Sequence, residues 1–395
     1  MSAALLAIIY LAFVSLGLPD GLLGAAWPTM HVGVDAAVSW AGIVSTVICL
    51  GTIVSSLLTN RLVRRMGTGV LTASSVALTA AALFGFSTAT EFWQLVLWAI
   101  PYGLGAGAVD AALNAFVATH YEARHMNWLH CCWGIGAAGG PLLMAAQISH
   151  GAGWQVGYQA VGLIQVGLVV ALVLSLRLWG ARVAGSKGGE TDAGRRAVSR
   201  SRMIALPGVP QALVGFFCYC ALEASCGLWA PTFLVLGHGL DTGVAALLGS
   251  LFYAGITCGR FVSGVLTLRL TGTQLLRLGE AVIASGVATL LLAPCEAALA
   301  VGLVLLGVGC APIYPQMIQL TPTRFGTDNA QALMGLQMAC AYVGSMAMPP
   351  LVGMAVENAS PLLLPPVAAV LLAVMTVCLG ICDKRTAATH PSSAM

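Results

Sequence analysis

Charge is what this chain has least of. Only 8% of its 395 residues are Asp, Glu, Lys or Arg, while 58% are hydrophobic and the mean hydropathy is +0.91. Soluble domains carry about a quarter charged residues. So few charges do not cover the surface of a soluble protein of this length, so lipid is the solvent for most of it. Short alternating strands, the mark of a membrane β-barrel, are missing as well. The apolar runs are instead about twenty residues or longer and rich in Ala, Leu, Gly and Val. They suit helices that satisfy their own backbone hydrogen bonds in lipid. The fold class is an all-α membrane protein.

The motifs of several chemistries are also missing. No P-loop, HExxH helix, GxSxG elbow or dinucleotide fingerprint is present. That argues against an enzyme, a nucleotide engine, a bound cofactor or a nucleic-acid partner. Twelve Cys form no CxxC pair, and Cys131 and Cys132 are adjacent, a poor metal geometry. They read as small apolar packing residues. The first apolar run lacks a basic leader and a cleavage site, so it reads as a retained first helix.

Twelve spans can be drawn, at about 4–30, 37–60, 68–89, 92–119, 126–149, 154–178, 207–236, 242–268, 273–294, 297–321, 328–356 and 360–382. The expected organisation is a six-helix half over 1–179, a basic linker over 180–206, a second half over 207–382 and a tail over 383–395. The odd-numbered connections hold no Lys or Arg, only Asp35, Glu91, Asp241, Glu296 and Glu357. The even-numbered ones hold Arg61, Arg64, Arg65, Arg124, the linker cluster and Arg324. Positive residues stay in the cytoplasm. Both termini and the linker are therefore expected inside a plasma membrane, the inner membrane of a bacterium.

The two halves repeat one another. Asp20, Gly24, Pro28 and Thr29 match Glu223, Gly227, Pro231 and Thr232, each at a shift of 203. In span 2, Gly51, Ser55, Thr59 and Arg61 match Gly259, Ser263, Thr267 and Arg269. Gly103 and Gly105 match Gly307 and Gly309, and Gly136 and Pro141 match Gly344 and Pro349. Two parallel six-helix repeats around a central cavity resemble the major facilitator superfamily.

Asp20, Asp110, Glu223, Arg260 and Glu280 lie inside spans, where a charge costs about 2.5–3.5 kcal/mol. Such groups face a bundle interior or a wet cavity. Asn114 stands one turn after Asp110 and can hydrogen-bond its carboxyl. A carboxyl with apolar neighbours can load and unload a proton near neutral pH. Asp110 is therefore the first candidate for proton coupling, with Asp20 and Glu223 beside it. Arg260 reads either as functional or as glue paired with a carboxylate or carbonyls. Glu280 reads as the partner of Arg277. His130 reads as a proton relay or as a packing histidine. Trp27, Trp133, Trp229, Tyr314 and Tyr342 can stack on a sugar ring, with Gln316 and Gln337 as hydroxyl partners, or can serve as packing and interface anchors.

At these residues the chain resembles the fucose:proton symporter family. Span 4 carries Gly105, Gly107, Asp110, Asn114 and Phe116 in that family's order, and span 5 has Asn127 followed by Gly136-Ala137. Span 8 has Gly259-Arg260-Phe261, span 10 has Tyr314-Pro315, and span 7 from Tyr219 to Trp229 is similar to hexose-transporting members. The resemblance implies proton-coupled monosaccharide uptake by a monomer, with Asp110 contacting proton and sugar and a span 1 acid as protonation site. Two departures stand out. The family's span 1 acid lies closer to its Pro than Asp20 lies to Pro28. In the loop Arg61-Leu-Val-Arg64-Arg65, the gating motif of the superfamily has an Asp where this chain has Arg64.

The expected function is alternating access with proton-coupled uptake of a small neutral solute, a monosaccharide first. Proton-antiport efflux of drugs or metabolites is an alternative, and a nutrient sensor that does not transport is another of a different class.

Overall fold

A computed structural model describes residues 3–121, 123–180 and 204–389. Among them no strand occurs, and twelve helices are long and apolar enough to cross a membrane. The spans are Ala4–Gly33, Val38–Met66, Thr68–Ser87, Phe92–His120, Trp128–Ser149, Gly153–Leu174, Val209–Gly237, Thr242–Leu266, Gly272–Leu292, Glu296–Gln319, Ala332–Asn358 and Pro361–Thr386, called spans 1 to 12 below. Most of the linker, 181–203, and the last six residues lie outside the described residues. The final helix runs on to Thr389, past the expected start of the tail at 383.

Two of the acids at one end of the bundle cap helix starts. Glu91 and Gln94 form a capping box at the start of span 4, and Asp241 accepts from Gly243 N at 2.8 Å to cap span 8. Each satisfies backbone donors that a helix start leaves without partners. Basic residues gather at the other end, where Arg277 bonds Glu280 at 2.8 Å as its spacing predicts. Asp383 of the last helix then bridges Arg277 at 2.9 Å and Arg324 at 2.5 Å.

The internal repeat appears as the same contact made twice. A Cβ on Gly136 of span 5 would strike Val14 O of span 1, and a Cβ on Gly344 of span 11 would strike Phe217 O of span 7. Val14 and Phe217 are themselves 203 residues apart. Only glycine permits helices this close.

The core differs between the two ends. Toward the acidic end one apolar cluster takes residues from both sets of six spans, among them Leu22, Trp27, Ala41, Trp229, Phe233 and Val352. Toward the basic end no cluster joins the two sets. Ile9, Phe13, Val109 and Leu113 form one within the first six spans, and Val209, Ala212, Phe325 and Leu333 form one within the second six. The shared cluster continues there only through second-six residues such as Leu276, Met317 and Leu379. Contacts across the two sets follow suit. Gly24 lies against Leu228 O and Gly227 O, Gly42 against Pro350, and Ser39 N donates to Glu357 at 2.9 Å. The bundle is sealed at its acidic end and parts toward its basic end.

Two spans are broken. Span 1 is helical over Ala3–Gly17 and Leu22–Gly33, with a turn between that contains Pro19 and Asp20. Span 10 breaks at Ala311-Pro312, between Glu296–Cys310 and Ile313–Gln319. Broken helices inside a membrane are tolerated where they line a cavity or find partners.

Candidate functional site

The breaks and the parting of the core meet at Asp20. It is exposed although it lies mid-span, because it sits just on the basic side of the Gly24–Gly227 seam, where the two sets of spans begin to part and leave a central cavity between them. Its carboxylate accepts from Trp133 Nε1 at 2.6 Å and from the Tyr102 hydroxyl at 3.5 Å. Trp133 reaches it because Gly17, Gly136 and Gly140 let spans 1 and 5 meet backbone to backbone. Both partners are neutral donors, and Asp20 forms no ion pair among the described residues.

Asp110 is half-buried and accepts from Asn114 Nδ2 at 2.9 Å, one turn along span 4. It lies close enough to Asp20 for the two charges to interact. Glu223 is half-buried on the opposite wall, beside the Tyr219 hydroxyl, which donates to Cys310 O at 3.0 Å. That carbonyl is one that the break in span 10 would otherwise leave without a partner. Tyr253 of span 8 stands against both Gly21 and Gly227 and interacts with both Asp20 and Glu223. The two copies of the repeat therefore converge, but not identically. Asp20 occupies a broken helix and Glu223 an unbroken one.

Arg260 is half-buried, with Cζ 4.8 Å from the Trp133 ring centroid, a distance at which a cation is attracted to the aromatic face. Its expected carboxylate or carbonyl partner is not found: it forms no hydrogen bond or ion pair among the described residues. His130 is exposed, one turn from Trp133, with its ring edge-on to Phe13 at 6.0 Å. Tyr314 is half-buried, donates to Met338 Sδ at 2.8 Å and packs on Phe216 at 5.1 Å. Tyr342 is half-buried on span 11 and interacts with Asp110.

Other expected contacts are not brought to this cavity. Trp27 and Trp229 are fully buried in the seal, where their indoles donate to Val38 O at 2.7 Å and Pro349 O at 2.8 Å. Neither has a face free for a sugar. Gln337 is buried and accepts from Thr321 at 2.9 Å, and Gln316 is buried toward Gly272 of span 9. Arg61 and Arg65 are exposed at the basic end of span 2 and make no ion pair among the described residues. The side chain of Asn127 lies outside the described residues. Tyr102 and Tyr253 carried no signal in the sequence, since nothing local to either points at an acid.

The sequence profile described as the Major Facilitator Superfamily matches residues 9–295. No curated protein matches the chain. Solved structures similar to it include a bacterial homologue of the human lysosomal transporter Spinster in an inward-facing, unoccupied conformation, with TM-score 0.71 and 13% identity over 97% of this chain and 95% of that one. A variant of the nucleoside transporter NupG aligns with TM-score 0.74 and 12% identity over 97% and 100% of the two chains. FucP, in the outward conformation, aligns with TM-score 0.64 and 16% identity over 96% and 98%. Identities this low speak for the fold and leave the narrower likeness to fucose:proton symporters unsupported.

Proposed function

Because the chain belongs to the Major Facilitator Superfamily, we propose that it is a proton-coupled secondary transporter working by alternating access, with Asp20 and Asp110 as the groups that carry the proton. The observation that supports this most is the pair of mid-span carboxyls, each hydrogen-bonded by neutral donors and paired with no cation among the described residues. An ionised carboxyl there costs on the order of 2.5–3.5 kcal/mol. A proton removes that cost, so the loaded carrier can occlude its cavity and turn over, and ionisation on the far side resets it. On this reading the basic end faces the cytoplasm, in keeping with the charge bias, and the cavity is open inward.

The solute is small and polar. A monosaccharide remains the first candidate by resemblance, although the two Gln and two of the Trp expected to hold it lie away from the cavity. The test uses reconstituted proteoliposomes and a panel of labelled hexoses and hexuronates. Asp110→Asn should abolish accumulation driven by an inward proton gradient while leaving solute exchange intact. Undiminished proton-driven accumulation by that variant removes Asp110 from the mechanism. Alkalinisation outside on adding solute means symport. Acidification means antiport, and binding without any exchange means a sensor.

A further inference from the structure

Span 8 carries a permanent cation that no described residue neutralises. Arg260 is half-buried near mid-bundle and forms no hydrogen bond or ion pair among the described residues. Its nitrogens are not among the fully buried polar atoms without a partner, and its guanidinium sits beside Trp133, whose indole bonds Asp20. The acids around the cavity bond other groups: Asp20 bonds Trp133 and Tyr102, Asp110 bonds Asn114, and Glu223 stands beside the Tyr219 hydroxyl. An arginine inside a span is costly and is normally paired. Here its Cζ lies over the Trp133 ring, a contact that uses none of the N–H donors of its fork.

We propose that Arg260 anchors a carboxylate on the transported solute, and that Trp133 is the positioning residue that presents the guanidinium to it. The proposal rests on the cavity being the transport site. A guanidinium meets a carboxylate through two parallel hydrogen bonds, a geometry with both strength and direction. Charge selects the class. Arg260 supplies one positive charge, so a monoanion such as a hexuronate is neutralised where a phosphate dianion is not. With Asp20 and Asp110 protonated, the cavity then loses the anion-repelling field of its own acids. Anion and proton enter together for that reason. A neutral sugar gains nothing from Arg260 and leaves its donors unsatisfied, a cost a matched carboxylate avoids.

The test is equilibrium binding to the purified full-length protein in detergent at mildly acidic pH, read by the thermal unfolding midpoint as ligand is titrated. The probes are matched pairs: glucose with glucuronate, and galactose with galacturonate. At least one hexuronate should raise the midpoint while its neutral partner does not. Arg260→Gln should weaken that hexuronate by about tenfold or more. Arg260→Lys, a point charge without the fork, should keep part of the affinity. Trp133→Ala, which removes the ring beneath the guanidinium, should weaken that hexuronate, and Trp133→Phe, which keeps a ring face, should restore part of the affinity. The proposal is overturned by equal stabilisation from both members of each pair, by no stabilisation from either hexuronate, or by undiminished binding in Arg260→Gln. Should Arg260→Gln fail to fold, Arg260→Lys decides, and an affinity equal to wild type overturns it. No gradient enters this experiment. Loss of proton coupling in the proteoliposome assay and loss of carboxylate binding here are therefore separate results.

Discussion

At the scale of single residues, the same side chain does different work according to what surrounds it. Trp27 and Trp133 are both tryptophans on helices of the first six spans. Trp27 is sealed at 0% exposure with its N–H on Val38 O, whereas Trp133 is half-buried and joins Asp20 to Arg260. Trp27→Phe should therefore act on stability alone. It leaves a buried carbonyl without its donor, at a cost of about 1–2 kcal/mol. The expected readout is a lower unfolding midpoint in detergent with solute affinity unchanged. Weaker binding at an unchanged midpoint would instead place the indole against the solute. The Asp110–Asn114 bond was legible in the sequence because an i, i+4 spacing brings two side chains together on any helix. The Asp20–Trp133 bond joins residues 113 apart and depends on how two helices cross, which no local pattern encodes.

At the scale of elements, the repeated Gly explains the seal. Gly24 and Gly227 bring span 1 and span 7 together so closely that a Cβ on Gly24 would lie 2.7 Å from Leu228 O and 2.8 Å from Gly227 O. Those atoms are backbone and do not move aside as a side-chain tip would. Gly24→Val should prise the acidic end apart. Met30, fully buried in the same core cluster, reports on this. In a background free of other reactive thiols, Met30→Cys should be inert to a membrane-impermeant maleimide added at the acidic face. It should become reactive when Gly24→Val is added. A thiol that stays inert in the double variant would mean that the seam does not close this end. The spacing of acid, Gly and Pro was visible as a repeat. That one copy breaks its helix and the other does not was invisible, because it depends on what packs against each.

At the scale of the whole molecule, a core shared by both sets at the acidic end and cores of one set only at the basic end describe a bundle closed on one side and parted on the other. Rocking of the two sets of six spans must exchange those conditions. Spin labels at Arg61 and Arg269, exposed repeat partners at the basic end, and at Asp35 and Asp241, exposed at the acidic end, would follow it. Acid pH with a bound solute should shorten the 61–269 distance and lengthen the 35–241 distance. Distances that stay fixed, or that change in the same sense, would contradict alternating access by rocking.

The sequence alone determined what could be read from solvent and period. Eight per cent charge forced lipid as the solvent, the lengths of the apolar runs gave twelve spans, and the Lys and Arg bias distinguished the two ends. It also singled out Asp20, Asp110, Glu223 and Arg260, because a charge in a span is conspicuous wherever it points. Direction is what the sequence withheld. Trp229, Gln316 and Gln337 read as possible solute contacts but turn into packing, while Tyr102 and Tyr253 turn toward the acids. Arg260 read either as functional or as glue paired with a carboxylate or carbonyls, and among the described residues it meets the Trp133 ring and forms no hydrogen bond or ion pair. Only tertiary structure decided these matters, since the rotation of each helix about its axis is fixed by glycine contacts between segments far apart in the chain.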